Sequence, residues 1–135
     1  MTPAEAAALI DGLGDAFAAG DLEAALGAFV PGEEAMYVGS EPAEHAVGRA
    51  ALRELLDGLF ARDERYLWRC ESVVVAASAN DVAVCAEARL YVLPVGSPRA
   101  AEPAESFPYR ISGVLVAAPE GWRWRLCHGS EPAAA

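Results

Sequence analysis

Residues 107–132 read FPYRISGVLVAAPEGWRWRLCHGSEP, and this stretch decides the architecture. Two runs rich in β-branched and aromatic residues flank Pro119-Glu120-Gly121, a turn signal, so the stretch predicts two antiparallel strands. It also gathers Arg110, Ser112, Trp122, Trp124, His128 and Ser130. Strand alternation puts Trp122, Trp124, Leu126, His128 and Ser130 on one face. A three-residue turn pairs them with Ala118, Val116, Val114, Ser112 and Arg110. A two-residue turn sets Tyr109 and Ile111 beside His128 instead. The first register is favoured because it groups polar with polar.

Working outward, residues 66–78 and 82–93 form two more long β-rich runs joined at Ala79-Asn80-Asp81. A two-residue turn at Ala79-Asn80 sets Trp68, Cys70 and Ser72 beside Tyr91, Arg89 and Glu87. One face of the 82–93 strand is Val82, Val84, Ala86, Ala88, Leu90 and Val92; the other is Ala83, Cys85, Glu87, Arg89 and Tyr91. The second face is read as the inner one, packed on helices near the turn and opening into a pocket at Glu87, Arg89 and Tyr91. The wholly apolar face then needs a cover, and a second subunit supplies it. Residues 94–106, PVGSPRAAEPAES, read as a solvent-exposed loop.

Before these strands the period is helical. Thr2-Pro3-Ala4-Glu5 combines a Thr cap, Pro at the first helical position and a capping-box Glu. Ala6, Leu9, Ile10, Leu13 and Phe17 follow on one face. Gly20 ends this helix, and Asp21 caps a shorter one carrying Leu22, Ala25, Leu26 and Phe29. Residues 35–39 are a short strand around Tyr37, and 40–48 a loop whose acids Glu41 and Glu44 are solvated. A third helix, 49–62, buries Leu52, Leu55, Leu56, Leu59 and Phe60. Three helices on one face of a strongly curved antiparallel sheet make a single α+β domain over 1–135.

The chain has 135 residues, 54% of them hydrophobic and 22% charged, which suits one packed core. All 10 cationic residues are arginine, and the net charge of −10 argues against nucleic acid, whose phosphates need a basic stripe. No apolar run reaches the roughly 20 residues of a membrane span, and no signal peptide is visible. Cys70, Cys85 and Cys127 lack C-x-x-C spacing and read as reduced, buried thiols of a cytoplasmic protein. With only His45 and His128 as imidazoles, neither a metal site nor a cofactor is expected.

Gly20-Asp21 opening the second helix, Gly48-Arg49 opening the third, and Gly121-Trp122 followed by His128-x-Ser130 carry a resemblance. Over residues 4–132 the chain resembles the SnoaL-like branch of the nuclear transport factor 2-like superfamily. Its ending is also similar to the association domain of calmodulin-dependent protein kinase II, which carries a second histidine where this chain has Leu126. The resemblance implies a cone, also called cystatin-like: a bent sheet wrapped around helices, with a pocket at the wide end, the Glu41–Glu44 loop near its rim, and a homodimer through the sheet. Members include ketosteroid isomerase, polyketide cyclases, scytalone dehydratase, limonene epoxide hydrolase and non-catalytic binding modules, so function rests on the site.

The expected ligand contacts are Arg89, Tyr91, Arg110, Ser112, His128 and Ser130, with Tyr37, Trp68 and Trp124 as aromatic walls. Arg89 reads either as a bidentate anchor for an anionic group or as the partner of Glu87. His128 reads as a general acid/base or as a core histidine bonded to Ser130 or a carbonyl, and Glu87 is the other candidate proton shuttle. Three functions follow: a pocket for a small anionic or carbonyl-bearing apolar molecule; an isomerase, cyclase or dehydratase acting on a polyketide- or steroid-like substrate; or a protein-association module.

Overall fold

The computed structural model describes residues 1–95 and 105–133. Helix α1 spans Pro3–Ala19, α2 Leu22–Gly27 and α3 Arg49–Phe60; the strands are β1 Met36–Val38, β2 His45–Val47, β3 Glu64–Ala77, β4 Asp81–Pro94, β5 Glu105–Ala118 and β6 Gly121–Ser130. Three helices pack on one six-stranded sheet of order β2-β1-β6-β5-β4-β3. The four long strands are antiparallel, as expected. β1 joins β6 in parallel, so the sheet is mixed. The expected 40–48 loop contains a strand, β2, which turns back onto β1 through Tyr37↔Ala46. Most of the 94–106 loop lies outside the described residues, and Glu105 and Ser106 belong to β5.

Local chemistry sets the helix ends. The Thr2 hydroxyl accepts the Glu5 amide at 3.1 Å while the Glu5 side chain accepts the Thr2 amide, completing the capping box. Gly20 closes α1 in the left-handed region at φ +63°, where a side chain is disfavoured. α1 lies along β3. The Trp68 indole N–H donates to the Ile10 carbonyl at 2.8 Å, and the Cys70 amide donates to the Asp11 carboxylate at 2.8 Å. The second of these occupies a backbone donor of an edge strand that would otherwise invite pairing.

Two bulges curve the sheet. In β3, Cys70 faces Ala88 but Ser72 faces Glu87, leaving Glu71 as the extra residue. In β6, Trp124 faces Leu115 but Leu126 faces Val114, leaving Arg125 extra. An inserted residue bends its strand and increases the local twist. The final hairpin therefore has a two-residue turn, Ala118↔Gly121, yet reaches the predicted pairs Ser112↔His128 and Arg110↔Ser130 once the bulge is passed. On β3 the Ala79-Asn80 turn gives the expected Ser72↔Glu87 pair, but the bulge then sets Trp68 opposite Leu90 rather than Tyr91.

The faces of the sheet are the reverse of expectation. Val82, Val84, Ala86, Ala88, Leu90 and Val92 are all buried within this one chain, at 1–5% exposure. Ala83, Cys85, Glu87, Arg89 and Tyr91 look outward. The apolar face is covered by the chain's own helices and the bent sheet, which is the cheaper way to remove it from water. Cys85 is accordingly exposed, whereas Cys127 is buried and its thiol is pushed up to about 12 by burial. The core runs from Ile10, Leu13 and Phe17 of α1 through Leu52 and Leu56 of α3 to Ile111, Leu115 and Trp124.

Candidate functional site

Between α1, α3 and the inner face of the sheet lies a cavity of about 810 Å³. Its walls are Phe17, Tyr37, Trp68, Phe107 and Tyr109, with Leu59, Leu90 and Val92. The rings are set against one another: Phe17 and Trp68 have centroids 4.7 Å apart, and Trp68 stacks near-parallel to Tyr109 at 6.4 Å. Aromatic walls of this kind suit a guest with a ring, while much of the remaining lining is polar.

The polar groups come from the rim. Ser40, Glu41 and Glu44 lie between β1 and β2, while Glu64 and Tyr66 open β3. The 40–44 segment is held by Gly39 N–H donating to the Glu44 carbonyl at 2.6 Å and by Glu44 N–H donating to the Glu41 carbonyl at 2.9 Å. Arg62, just past α3, donates from both terminal nitrogens to Glu41, at 3.2 and 2.9 Å. It also donates to the Tyr66 hydroxyl at 3.4 Å, and that hydroxyl donates to Glu64 at 3.3 Å.

Glu44 stands apart from the other acids. It is 8% exposed, buried where Glu41 is not, which corrects the reading of both as solvated. Burial, together with the neighbouring Glu41 charge, raises its carboxyl above the usual glutamate range, against a smaller pull from Arg62. Glu41 moves the other way, held low by its hydrogen bonds from Arg62. Two carboxyls a few residues apart are thus pushed in opposite directions, Glu44 towards its protonated form by burial and Glu41 towards its ionised form by the guanidinium. Burial also raises both wall tyrosines, Tyr37 well above its ordinary value and Tyr109 to about 12, so each keeps its O–H.

Of the residues expected at the site, Tyr37 and Trp68 form the cavity wall, and His128 and Ser130 reach its rim. The others stand elsewhere. Glu87 is paired with Arg110 across the outer face at 3.0 Å, both half in solvent. Arg89 donates to Ser106 at 3.3 Å on the same face, where Tyr91 and Ser112 also point. Trp124 is buried in the core, its backbone bonded to Ala28 and Val30. Arg110 and Ser112 therefore meet Ser130 and His128 in the expected register, but on the outward-facing positions of the sheet, and only His128 and Ser130 also touch the cavity, at its rim. Phe107, Tyr109 and Arg62 were not among the expected site residues, and the Glu41–Glu44 loop stands at the rim as the resemblance implies, with Glu44 buried rather than solvated. The one usable signal was Tyr109 alternating with the buried Ile111, Gly113 and Leu115.

Among the described residues, no group of three or more His, Cys, Asp and Glu could hold a metal ion, and no helix is long and apolar enough to cross a membrane.

Comparison with known proteins agrees with this fold. The chain is similar to a protein from Thiobacillus denitrificans named for the calcium/calmodulin-dependent protein kinase type II association domain, at 21% identity over 93% of this chain and 94% of that one, with a TM-score of 0.72. A nuclear transport factor 2-like superfamily protein from Salmonella enterica aligns at 16% identity over 98% and 92%, with a TM-score of 0.77. A Streptomyces avermitilis protein named as a dehydratase of the same superfamily aligns at 15% identity over 98% and 100%, also at 0.77. At these identities the likeness is one of fold. No curated protein matches the sequence. Residues 6–134 match the family described as SnoaL-like domain, and the chain belongs to that family.

Proposed function

We propose that the cavity binds a small, uncharged, ring-bearing molecule with a carbonyl or hydroxyl oxygen, and that Glu44 moves a proton on it. The observation that carries this reading is the buried carboxyl of Glu44 on an aromatic-walled cavity. A neutral guest fits better than an anionic one. Glu41, Glu44, Glu64, Glu105 and Glu131 all line the space, while Arg89 and Arg110 lie on the opposite face. A carboxyl raised toward working pH can give a proton to a leaving hydroxyl or take one beside a carbonyl. Isomerase, cyclase or dehydratase chemistry is of this kind.

The test is a thermal-shift screen of neutral aromatic ketones and alcohols, followed by NMR detection of solvent deuterium entering positions next to the carbonyl. Stabilisation with exchange that Glu44→Gln abolishes supports an enzyme. Stabilisation without exchange in either protein leaves a binding module and removes the catalytic role. No stabilisation by any neutral compound contradicts the reading altogether.

A homodimer through the outer sheet face is part of the same proposal. Register places Val47, Met36, Leu126, Val114, Ala83 and Ala76 in one continuous apolar row across all six strands. Val47 is 62% exposed in the single chain. An ion pair flanks each side of the row, Glu87–Arg110 and Asp81–Arg125. An apolar strip with a charged border is the ordinary anatomy of a protein interface.

A further inference from the structure

We propose that Tyr109 is the second polar contact of this cavity, its hydroxyl donating a hydrogen bond to the oxygen of the ligand on which Glu44 acts. The inference rests on the reading of the cavity above and adds a residue and a selectivity to it.

Two glycines shape the inner sheet here. β1 and β6 run parallel with Val38 paired to His128, so Gly39 and Gly129 each lie one residue beyond that pair, on neighbouring strands about 4.8 Å apart. Both stand where alternation faces the inside, next after the buried Tyr37 and Cys127 positions. A methyl group on Gly39 would sit 2.7 Å from the Glu44 Oε2 and 2.8 Å from its Cβ. A methyl group on Gly129 would fall on the Tyr109 hydroxyl oxygen, with ring carbons Cε2 and Cζ at 2.8 Å. The missing side chains thus make one bare trough on the inner sheet. The Glu44 carboxyl is laid over one strand of it and the Tyr109 hydroxyl over the next.

The electrostatics agree with this placement. Tyr109 is 4% exposed, and burial is the main reason its hydroxyl stays protonated, with the Glu44 charge pushing the same way and a Ser40 hydrogen bond opposing. A phenol that keeps its proton across the working range of pH is a donor throughout. Beside it, Glu44 can exchange a proton. A ligand oxygen placed over the trough would meet a fixed donor on one side and an acid–base group on the other, with rings closing the remaining walls. Tyr37 is the competing hydroxyl, since it is also buried and lines the cavity. Of the two, Tyr109 is the one whose hydroxyl lies directly over a glycine of the trough.

The experiment compares 1-tetralone with tetralin, which differ by the carbonyl oxygen, binding to wild type, Tyr109→Phe and Tyr37→Phe by calorimetry. Wild type is expected to prefer the ketone. Tyr109→Phe should lose about tenfold in ketone affinity, the scale of one hydrogen bond, and keep its tetralin affinity. Equal ketone-to-hydrocarbon ratios in wild type and Tyr109→Phe overturn the proposal while leaving the cavity reading intact. Loss of the ratio in Tyr37→Phe alone transfers the role to Tyr37 and likewise overturns it. If neither compound binds wild type, the cavity reading falls and this proposal with it. Melting temperatures of both variants close to wild type establish that the comparison is made on folded protein.

Discussion

Gly129→Ala isolates the geometry on which the site depends. The added methyl group would overlap the Tyr109 hydroxyl and come within 2.8 Å of two ring carbons, well inside van der Waals contact. Backbone retreat is restricted, because β6 is hydrogen-bonded to β1 on one side and β5 on the other. The ring must therefore turn away from its rotamer or push into Trp68, against which it stacks. Overpacking of this kind costs about 1–3 kcal/mol. For a chain of this length that lowers the melting temperature by about 3–12 °C. Gly12→Ala is the control: it sits within α1 with nothing inside 4 Å of the new methyl group, so the same change should stabilise by about 0.4–1 kcal/mol. A urea titration of both variants reads the two signs. In a Tyr109→Leu background the hydroxyl and the crowded ring atoms are gone, and Gly129→Ala should become nearly neutral. Equal costs in the two backgrounds would mean that Tyr109 does not lie over Gly129, and the trough would be refuted.

Further outcomes follow from the same contacts. Glu44 has a folded-state value above its unfolded one, so its contribution to stability is complete below the ordinary glutamate range and is lost as pH rises through the raised value. Glu44→Gln should remove that loss, and its advantage over wild type in chemical denaturation should grow from pH 4 to pH 7. Glu41 has the opposite sign: its pairing stabilises above the ordinary range and is lost as pH falls through the lowered value. Arg62→Ala should therefore destabilise at neutral pH by at most about 1 kcal/mol, since the pair is half in solvent, with the difference shrinking in acid. Val114→Glu with Leu126→Glu interrupts the apolar row at its centre, and light scattering is expected to give the mass of a dimer for wild type and of a monomer for the variant. An unchanged mass would place the interface elsewhere.

Most of the fold could be read from the chain because its signals are local. The Thr2–Glu5 capping box, the Asp21 cap and the change from helical to alternating period after Arg62 each depend on a few neighbouring residues. Register past a bulge is different, since whether Glu71 or Arg125 is skipped depends on the curvature of the whole sheet. The final hairpin reached its expected pairs only because a shorter turn and an extra residue offset each other. The pocket face was read from polarity, on the premise that Arg89 and Glu87 mark a site. The plainer rule held: the apolar face of β4 went inside, and the charges went to water. Glu44 was legible least of all. Its burial comes from β2 folding back onto β1, a three-residue strand too short to show any period, and from the absent side chain of Gly39.

The two rim carboxyls, Glu41 and Glu44, are the most direct point of test. A ¹³C NMR titration of the side-chain carboxyls of Glu41 and Glu44, assigned through Glu41→Gln and Glu44→Gln, reads each in the ligand-free protein. Glu44 is predicted to titrate above the ordinary value of 4.5 and Glu41 below it. A Glu44 that titrates at or below 4.5 would contradict its burial, and Glu44 would lose the proton-carrying role given to it.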